Sequence, residues 1–468
     1  MQSQTSFLLN NSAKYQIDNG QQPKLTDESD PHWLRVLCWI LAVSYLPLSF
    51  LHGSLAGAVL HVLALLGLFR LILFSCVPGK RQKIVIFWRK YGLFCVGMMA
   101  PMLAGLISQL ADGRFVWSDI SVTQERLALS GLVLFALVSV PVNWLRHIQW
   151  GILMGVLIAV GTLLIDSRLG EVRPEPVVLN LLNFSNILVL LGIFCLCTFG
   201  WQLTSGPRTE KGIKVVGFLL MLLGLVVSQS RGPLLSFVVL MAFYLLFFVS
   251  VLALRWRVLG LMVFVGVLVF AVFSSDDFRK RLDDGVTTTL ESVDAALEGR
   301  EFSSGEGSLR IRFGLWRASW DMFVQSPWTG DSRQKFSERL VLLNQAGMVN
   351  DLTTWKIEGP NNNKRPYTQP HNEVANELAT RGVVGLISLL WIYFVPLFYF
   401  IKSKRDCHNI TAWVPVQMGL LISIGTILFG LTVSVFTSSF MTSFWVLTVA
   451  VMLALSRQED ANIHLEKP

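Results

Sequence analysis

Charge is scarce in this chain: Asp, Glu, Lys and Arg make up 15% of its 468 residues, while 53% are hydrophobic. The length would allow three soluble domains, but a chain so poor in charge cannot give them polar surfaces, and lipid is the solvent that suits it. Cysteine is scarce too. Of the six, Cys38, Cys76, Cys95, Cys195 and Cys197 lie in or beside apolar runs and Cys407 in a basic connection. That excludes a disulfide framework, and Cys195 and Cys197 lack the spacing and partners of a metal site. Also missing are an Asp-x-Asp pair, a His-Glu-x-x-His helix, a Walker loop and a Ser nucleophile in a Gly-x-Ser-x-Gly frame, so chemistry without metal or cofactor is the expectation. No apolar stretch in the first 30 or so residues offers a secretory cleavage site, and they read as a cytoplasmic tail. Internal repeats and the paired broken helices of many transporters are absent as well.

Apolar segments are abundant. They lie near residues 33–51, 54–77, 91–110, 127–145, 148–165, 177–200, 213–229, 234–254, 256–275, 382–401, 411–433 and 436–456. A bilayer core needs about 20 apolar residues per helix, so these predict an all-α polytopic membrane protein with about twelve transmembrane helices. With the N-terminus inside, the cytoplasmic connections hold Lys80, Arg81, Lys83, Arg89 and Lys90, then Arg146, then Arg208, Lys211 and Lys214, then Arg255 and Arg257, then Lys402, Lys404 and Arg405. This obeys the positive-inside rule and places both termini in the cytoplasm. The net charge of +8 follows from the same rule and does not point to nucleic acid. The helix interiors read as nearly free of polar or ionisable groups, with Arg70 the main exception, able to snorkel toward the cytoplasmic side. The expected division is a tail at 1–32, helices at 33–275, a loop at 276–381, helices at 382–456 and a tail at 457–468.

The loop between the ninth and tenth helices is the anomaly, because long loops are usually functional. Phe278, Leu282, Val286, Leu290, Val293 and Leu297 predict an amphipathic helix closed by Gly299. Leu309, Phe313, Trp316, Trp320 and Phe323 predict a second, ending before Pro327, and a third runs near Phe336 to Leu343. Asn350 to Gln369 reads as irregular.

Three sites in this part of the chain invite chemistry. Arg231, in Ser228-Gln229-Ser230-Arg231-Gly232-Pro233, sits at the outer boundary between two apolar segments, either snorkelling over helical carbonyls or clamping an anion at a helix N-terminus. Arg310, Arg312 and Arg317 lie along one helix, with Arg312 and Trp316 on a shared face. They form either a solvated basic face or an anion site. The second reading gains from the fourteen Lys and Arg that the loop carries on the side where topology does not call for them. His371, in Gln369-Pro370-His371-Asn372-Glu373, is the loop's one histidine. It is either structural or, kept neutral at a helix N-terminus, a general base. His52, His61 and His147 sit at or near helix ends without acidic partners.

Ser-Arg-Gly after the seventh helix, Arg312-x-x-x-Trp316 leading to Ser326-Pro327-Trp328-Thr329-Gly330, and His371-Asn372 followed by Gly382 and Gly385 together resemble the O-antigen ligase and polymerase superfamily. The resemblance implies a GT-C-like fold in the bacterial inner membrane with a large helical periplasmic loop and an active site facing the periplasm. It also implies a metal-independent glycosyltransferase whose donor is a glycan on undecaprenyl pyrophosphate. A ligase delivers the glycan to a sugar hydroxyl of lipid A core, completing lipopolysaccharide, whereas a polymerase delivers it to another lipid-linked unit. By position, Arg231 and Arg312, or Arg310 if the register differs, would bind the pyrophosphate and His371 would activate the acceptor. Glu373 departs from the family's usual residue and could assist or replace His371, and Asp331-Ser332-Arg333 departs from the usual glycine-rich continuation. A ligase is the first reading, a polymerase the second, and a transporter or flippase for a lipid-linked glycan the alternative of another class.

Overall fold

The computed structural model describes residues 30–113, 115, 123–168, 180–228, 230–248, 308–346, 354–356, 364–406 and 410–463, with scattered positions between 255 and 290. Its helices are α1 (His32–Leu51), α2 (Leu55–Cys76), α3 (Arg81–Ala111), α4 (Gln124–Ala128), α5 (Ser130–Leu137), α6 (Val142–Leu145), α7 (Ile148–Arg168), α8 (Leu181–Cys197), α9 (Pro207–Ser228) and α10 (Arg231–Phe243, extended by a π turn at Tyr244–Phe248). Then follow α11 (Ser308–Gln325), α12 (Arg333–Gln345), the strands β1 (Thr354–Lys356) and β2 (Lys364–Pro366), α13 (Glu373–Asp406), α14 (Ile410–Gly430) and α15 (Ser439–Ile463). Among the described residues nine helical segments are long and apolar enough to cross a membrane, and Gly232–Phe247 adds a shorter apolar one. The protein is an all-helical polytopic membrane protein apart from one short ribbon. The expected ninth span, 256–275, and the first loop helix, 278–297, lie outside the described residues save for scattered positions.

Successive helices run back and forth between two ends of one bundle. At the far end the Tyr399 hydroxyl donates to the Lys90 carbonyl at 2.9 Å and the Trp201 ring N–H to the Thr411 carbonyl at 3.1 Å. At the near end Arg126 donates to the Ser439 carbonyl at 2.8 Å, and Ser108 Oγ to the Thr329 carbonyl at 2.6 Å. α8 is the central helix, buried along nearly its whole length. It crosses α9 with Leu188 against Gly224 and Gly192 against Met221, and meets α14 where Leu190 abuts Gly425.

The fourth expected span, 127–145, is not one helix. The chain crosses there in three pieces, α4, α5 and α6, broken around Leu129 and at Val138–Pro141. Pro141 lacks an amide hydrogen to continue a helix. The pass is nonetheless complete: Arg126 lies against Gly57 at the near end, and Trp144 meets His32 edge to face at the far end.

Three further expectations are corrected. Arg70 does not snorkel: it is 1% exposed, donates to Asp30 through Nε (3.2 Å) and Nη2 (2.8 Å), and stacks on Phe74 and Phe135. A buried guanidinium is tolerable only with such a partner. His61 does have an acidic neighbour, with Nε2 3.5 Å from Glu125. Asn350 to Gln369 is not wholly irregular, because β1 and β2 pair antiparallel with Trp355 opposite Arg365.

α11 and α12 build a small core on the near end. Leu315, Ala318 and Met322 of α11 meet Phe336, Leu340 and Leu343 of α12 and Ala379 of α13. α11 ends before Pro327 as expected, but its buried face is not the aromatic stripe. Trp320 is 60% exposed, while Leu315 and Ala318 are fully buried. Lys335 pairs with Asp331 and, at 2.9 Å, with Asp112 at the end of α3, fixing this unit to the bundle.

Candidate functional site

The site is built around a break in α13. Gly382 has φ 61 and ψ −151, so the helix is Glu373–Arg381 and then Val383 onward, set apart by one non-helical residue. The turn Ser326–Gly330 fills the break. Val383 N–H donates to the Pro327 carbonyl at 2.8 Å, Val384 N–H to the Trp328 carbonyl at 3.2 Å, and Asp331 N–H to the Ala379 carbonyl at 2.8 Å. Gly330 also has a positive φ (65), and its Cα faces the backbone of Thr380–Gly382 so closely that an added Cβ would overlap it. Glycine is required on both sides.

One helical stretch earlier, the first part of α13 presents His371. Asn372 caps the helix, its side chain accepting from Ala375 N–H at 3.0 Å. His371 precedes the cap with φ 53, a left-handed conformation that a non-glycine residue holds only when its surroundings fix it. They do. The Trp316 ring N–H donates to the Pro370 carbonyl at 3.1 Å, Thr437 Oγ1 donates to Gln369 Oε1, and the Tyr367 ring stands edge-on to the imidazole. His371 Nδ1 is buried without a hydrogen-bond partner among the described residues. Burial first, and the field of Arg312 second, push its pKa down to about 4, so the ring is neutral near pH 7.

Arg312 is half-buried, and burial lowers its pKa from the ordinary guanidinium value. Other basic residues at this end of the bundle have acidic partners: Arg339 pairs with Asp321, Lys335 with Asp112 and Asp331, and Arg381 with Glu377 through two 2.6 Å contacts. No ion pair or hydrogen bond joins Arg312 to any carboxylate among the described residues. Arg310 is on the same helix, and only its backbone is described.

Arg231 is the first residue of α10, again with only its backbone described. The next residue, Gly232, packs beside Thr432, and Leu431 accepts from Asn372 Nδ2 at 3.2 Å. The Ser228–Gly232 corner and the His371 turn are therefore joined through one segment, Leu431–Thr437. Glu373 is fully buried; its Oε2 accepts from Phe436 N–H in that segment at 2.9 Å, and its Oε1 has no partner among the described residues.

Residues 216–390 match the O-antigen ligase family model. The matched stretch runs from α9 into α13, contains Arg231, Arg312 and His371, and bears out the superfamily resemblance read from the motifs. No curated protein matches the chain. Parts of the site lie outside that stretch. Leu431–Thr437, not among the expected site residues, borders both the arginine corner and the histidine turn, and its hydroxyl residues Thr432, Ser434 and Thr437, continued by Ser438 and Ser439, were the available signal. Gln124 and Ser108, buried at the near end, were also missed, as isolated polar residues give no pattern.

Proposed function

We propose that the protein is an O-antigen ligase, a metal-independent glycosyltransferase that moves a glycan from undecaprenyl pyrophosphate to a sugar hydroxyl of lipid A core. In this reading residues 276–381 face the periplasm of a bacterial inner membrane and both termini are cytoplasmic. The observation that carries it is the meeting of a neutral histidine and an arginine with no carboxylate partner among the described residues, at one end of a membrane bundle and inside the matched stretch.

The chemistry follows from charge and protons. As the acceptor oxygen attacks the anomeric carbon, the bond from that carbon to the pyrophosphate oxygen breaks and negative charge grows on the leaving group. Arg312 and Arg231, with Arg310 beside them, stabilise that charge with fixed donors, the part a divalent cation plays elsewhere. His371 accepts the proton from the acceptor hydroxyl, for which a neutral ring is required. Glu373 assists by holding the Leu431–Thr437 segment against the histidine turn through Phe436 N–H.

A transporter or flippase would need polar groups from one end of the bundle to the other. The buried charges at the far end are closed pairs, Arg70 with Asp30 and Lys214 with Glu210 at 2.9 Å. A polymerase would use the same donor and the same three residues, and the acceptor separates the two enzymes. Purified protein is given undecaprenyl-pyrophosphate glycan with or without lipid A core. Product that appears only with core is the expected result. Lengthened lipid-linked glycan from donor alone identifies a polymerase, and no transfer under either condition rejects the glycosyltransferase reading.

A further inference from the structure

The interior of the central helix is not apolar at the near end. Asn183, Ser185 and Asn186 of α8 are 5%, 0% and 0% exposed. Asn183 Oδ1, Ser185 Oγ and both amide atoms of Asn186 are buried without a hydrogen-bond partner among the described residues. A buried amide without partners is costly in a protein interior, and in a membrane helix it must face the bundle rather than lipid. The expectation of helix interiors nearly free of polar or ionisable groups is therefore corrected at this place.

Helix register places them. α8 and α14 are antiparallel with Leu190 level with Gly425, so Asn186 is level with Phe429 and Asn183 lies toward the turn that follows the end of α14 at Gly430. Asn183, Asn186 and Leu190 are spaced i, i+3, i+7 and share one face. On the α9 side, Leu188 is level with Gly224 and Gly192 with Met221, which brings Ser185 level with Ser228. The three polar residues thus lie beneath the two segments that meet in the candidate site, Ser228–Gly232 and Leu431–Thr437.

We infer that Asn183 and Asn186 form the floor of a sugar subsite, binding uncharged hydroxyl or acetamido groups of the glycan next to the pyrophosphate. This rests on the donor assigned under Proposed function. The groups suit it. Each amide carries an acceptor oxygen as well as donor hydrogens, and the Ser185 hydroxyl does both, matching a sugar hydroxyl that also gives and takes a hydrogen bond. A phosphate only accepts, and the acceptor oxygens would repel it. The arginines answer the pyrophosphate, and the amides answer the sugar. A site of this kind discriminates strongly, because an analogue lacking the hydroxyl leaves the buried amides unmatched.

The test uses the full chain in lipid nanodiscs and two ligands, undecaprenyl-pyrophosphate glycan and undecaprenyl pyrophosphate without sugar. Asn186→Leu and, separately, Asn183→Leu keep the side-chain volume and remove the amide. Each is expected to weaken the glycan-bearing lipid by about tenfold, the worth of one good hydrogen bond, while binding of the bare pyrophosphate lipid stays within about twofold. Each variant is also expected to raise the thermal midpoint, because an unmatched polar group has been removed from the interior. Unchanged affinity for both ligands in both variants overturns the inference, as does an equal loss for both ligands. Wild-type protein that binds the two lipids equally and transfers no glycan overturns the donor reading itself, a result distinct from either.

Discussion

The strength of His371 as the proposed base depends on what Arg312 faces. In the free protein, burial and the neighbouring guanidinium hold its pKa at about 4. In the proposed mechanism the catalytic form is neutral, so activity should fall as pH drops through this pKa. The acid limb of kcat/KM, which reports the free enzyme, should therefore lie well below the ordinary 6.5 of histidine. A bound pyrophosphate cancels the field of Arg312 and leaves burial acting alone, so the acid limb of kcat should lie at higher pH than that of kcat/KM. Coincident limbs near 6.5 would remove His371 from the role of base. Arg312→Gln separates the two causes: it should raise KM for the donor and move the kcat/KM limb upward toward 6.5. A solvated arginine with no part in the site would leave the limb where it was. His371→Ala should lower kcat by roughly 10²- to 10⁴-fold, the usual worth of a positioned general base, with donor binding retained. These residues were legible in the sequence because their types are unusual for their places, an arginine at a lipid boundary and one histidine in a long loop. The left-handed backbone of His371 was not legible, since Trp316, Gln369 and Thr437 impose it across gaps of up to 66 residues.

At the scale of elements, the contact between the Ser326–Gly330 turn and the break in α13 holds α11 in place, and α11 carries Arg312. Gly382→Ala would meet two penalties: φ 61 with ψ −151 is a conformation open essentially to glycine alone, costing another residue about 1–3 kcal/mol, and its Cβ would lie 2.5 Å from the Trp328 carbonyl carbon and 2.6 Å from the Pro327 oxygen. The expected result is a lower thermal midpoint, faster proteolysis within 308–346 and loss of transfer. Gly79→Ala is the control, because it has φ 88 but nothing within 4 Å of an added Cβ. It should show only the backbone cost and keep activity. Equal effects from the two variants would mean that close packing at Gly382 is not what positions α11. Periodicity located α11 and α12 and the end of α11 at Pro327, yet it misassigned the face. The large aromatics Phe313, Trp316, Trp320 and Phe323 look like a core stripe, but the smaller Leu315, Ala318 and Met322 are what α12 and α13 cover. Hydrophobic size marks a face only where another element is present to bury it, and which element docks there depends on glycines some 50 residues apart.

The whole bundle depends on where the chain turns, and apolar length was enough to find most of the passes. It failed at 127–145, where mean hydropathy is that of a helix but Pro141 and the turns at Leu129 and Val138 break the pass into three pieces. It also failed to see that Arg70 and Lys214 are interior, since their partners Asp30 and Glu210 belong to segments read as polar or cytoplasmic. Because the described passes alternate, one determination of sidedness fixes the connections between them. Thr368, exposed beside the histidine turn, and Cys76, exposed at the end of α2, mark opposite ends of the bundle. Two single-cysteine chains, one retaining Cys76 and the other carrying Thr368→Cys, are labelled in spheroplasts with a maleimide that does not cross membranes. Thr368→Cys should react at once, and Cys76 only after the membrane is opened. That outcome puts Arg312, His371 and the Leu431–Thr437 segment on the periplasmic side, where a lipid-linked glycan that has already crossed the membrane would meet its acceptor. The reverse pattern would place the histidine turn in the cytoplasm and exclude transfer to a periplasmic lipid A core, whatever the purified protein does in a test tube.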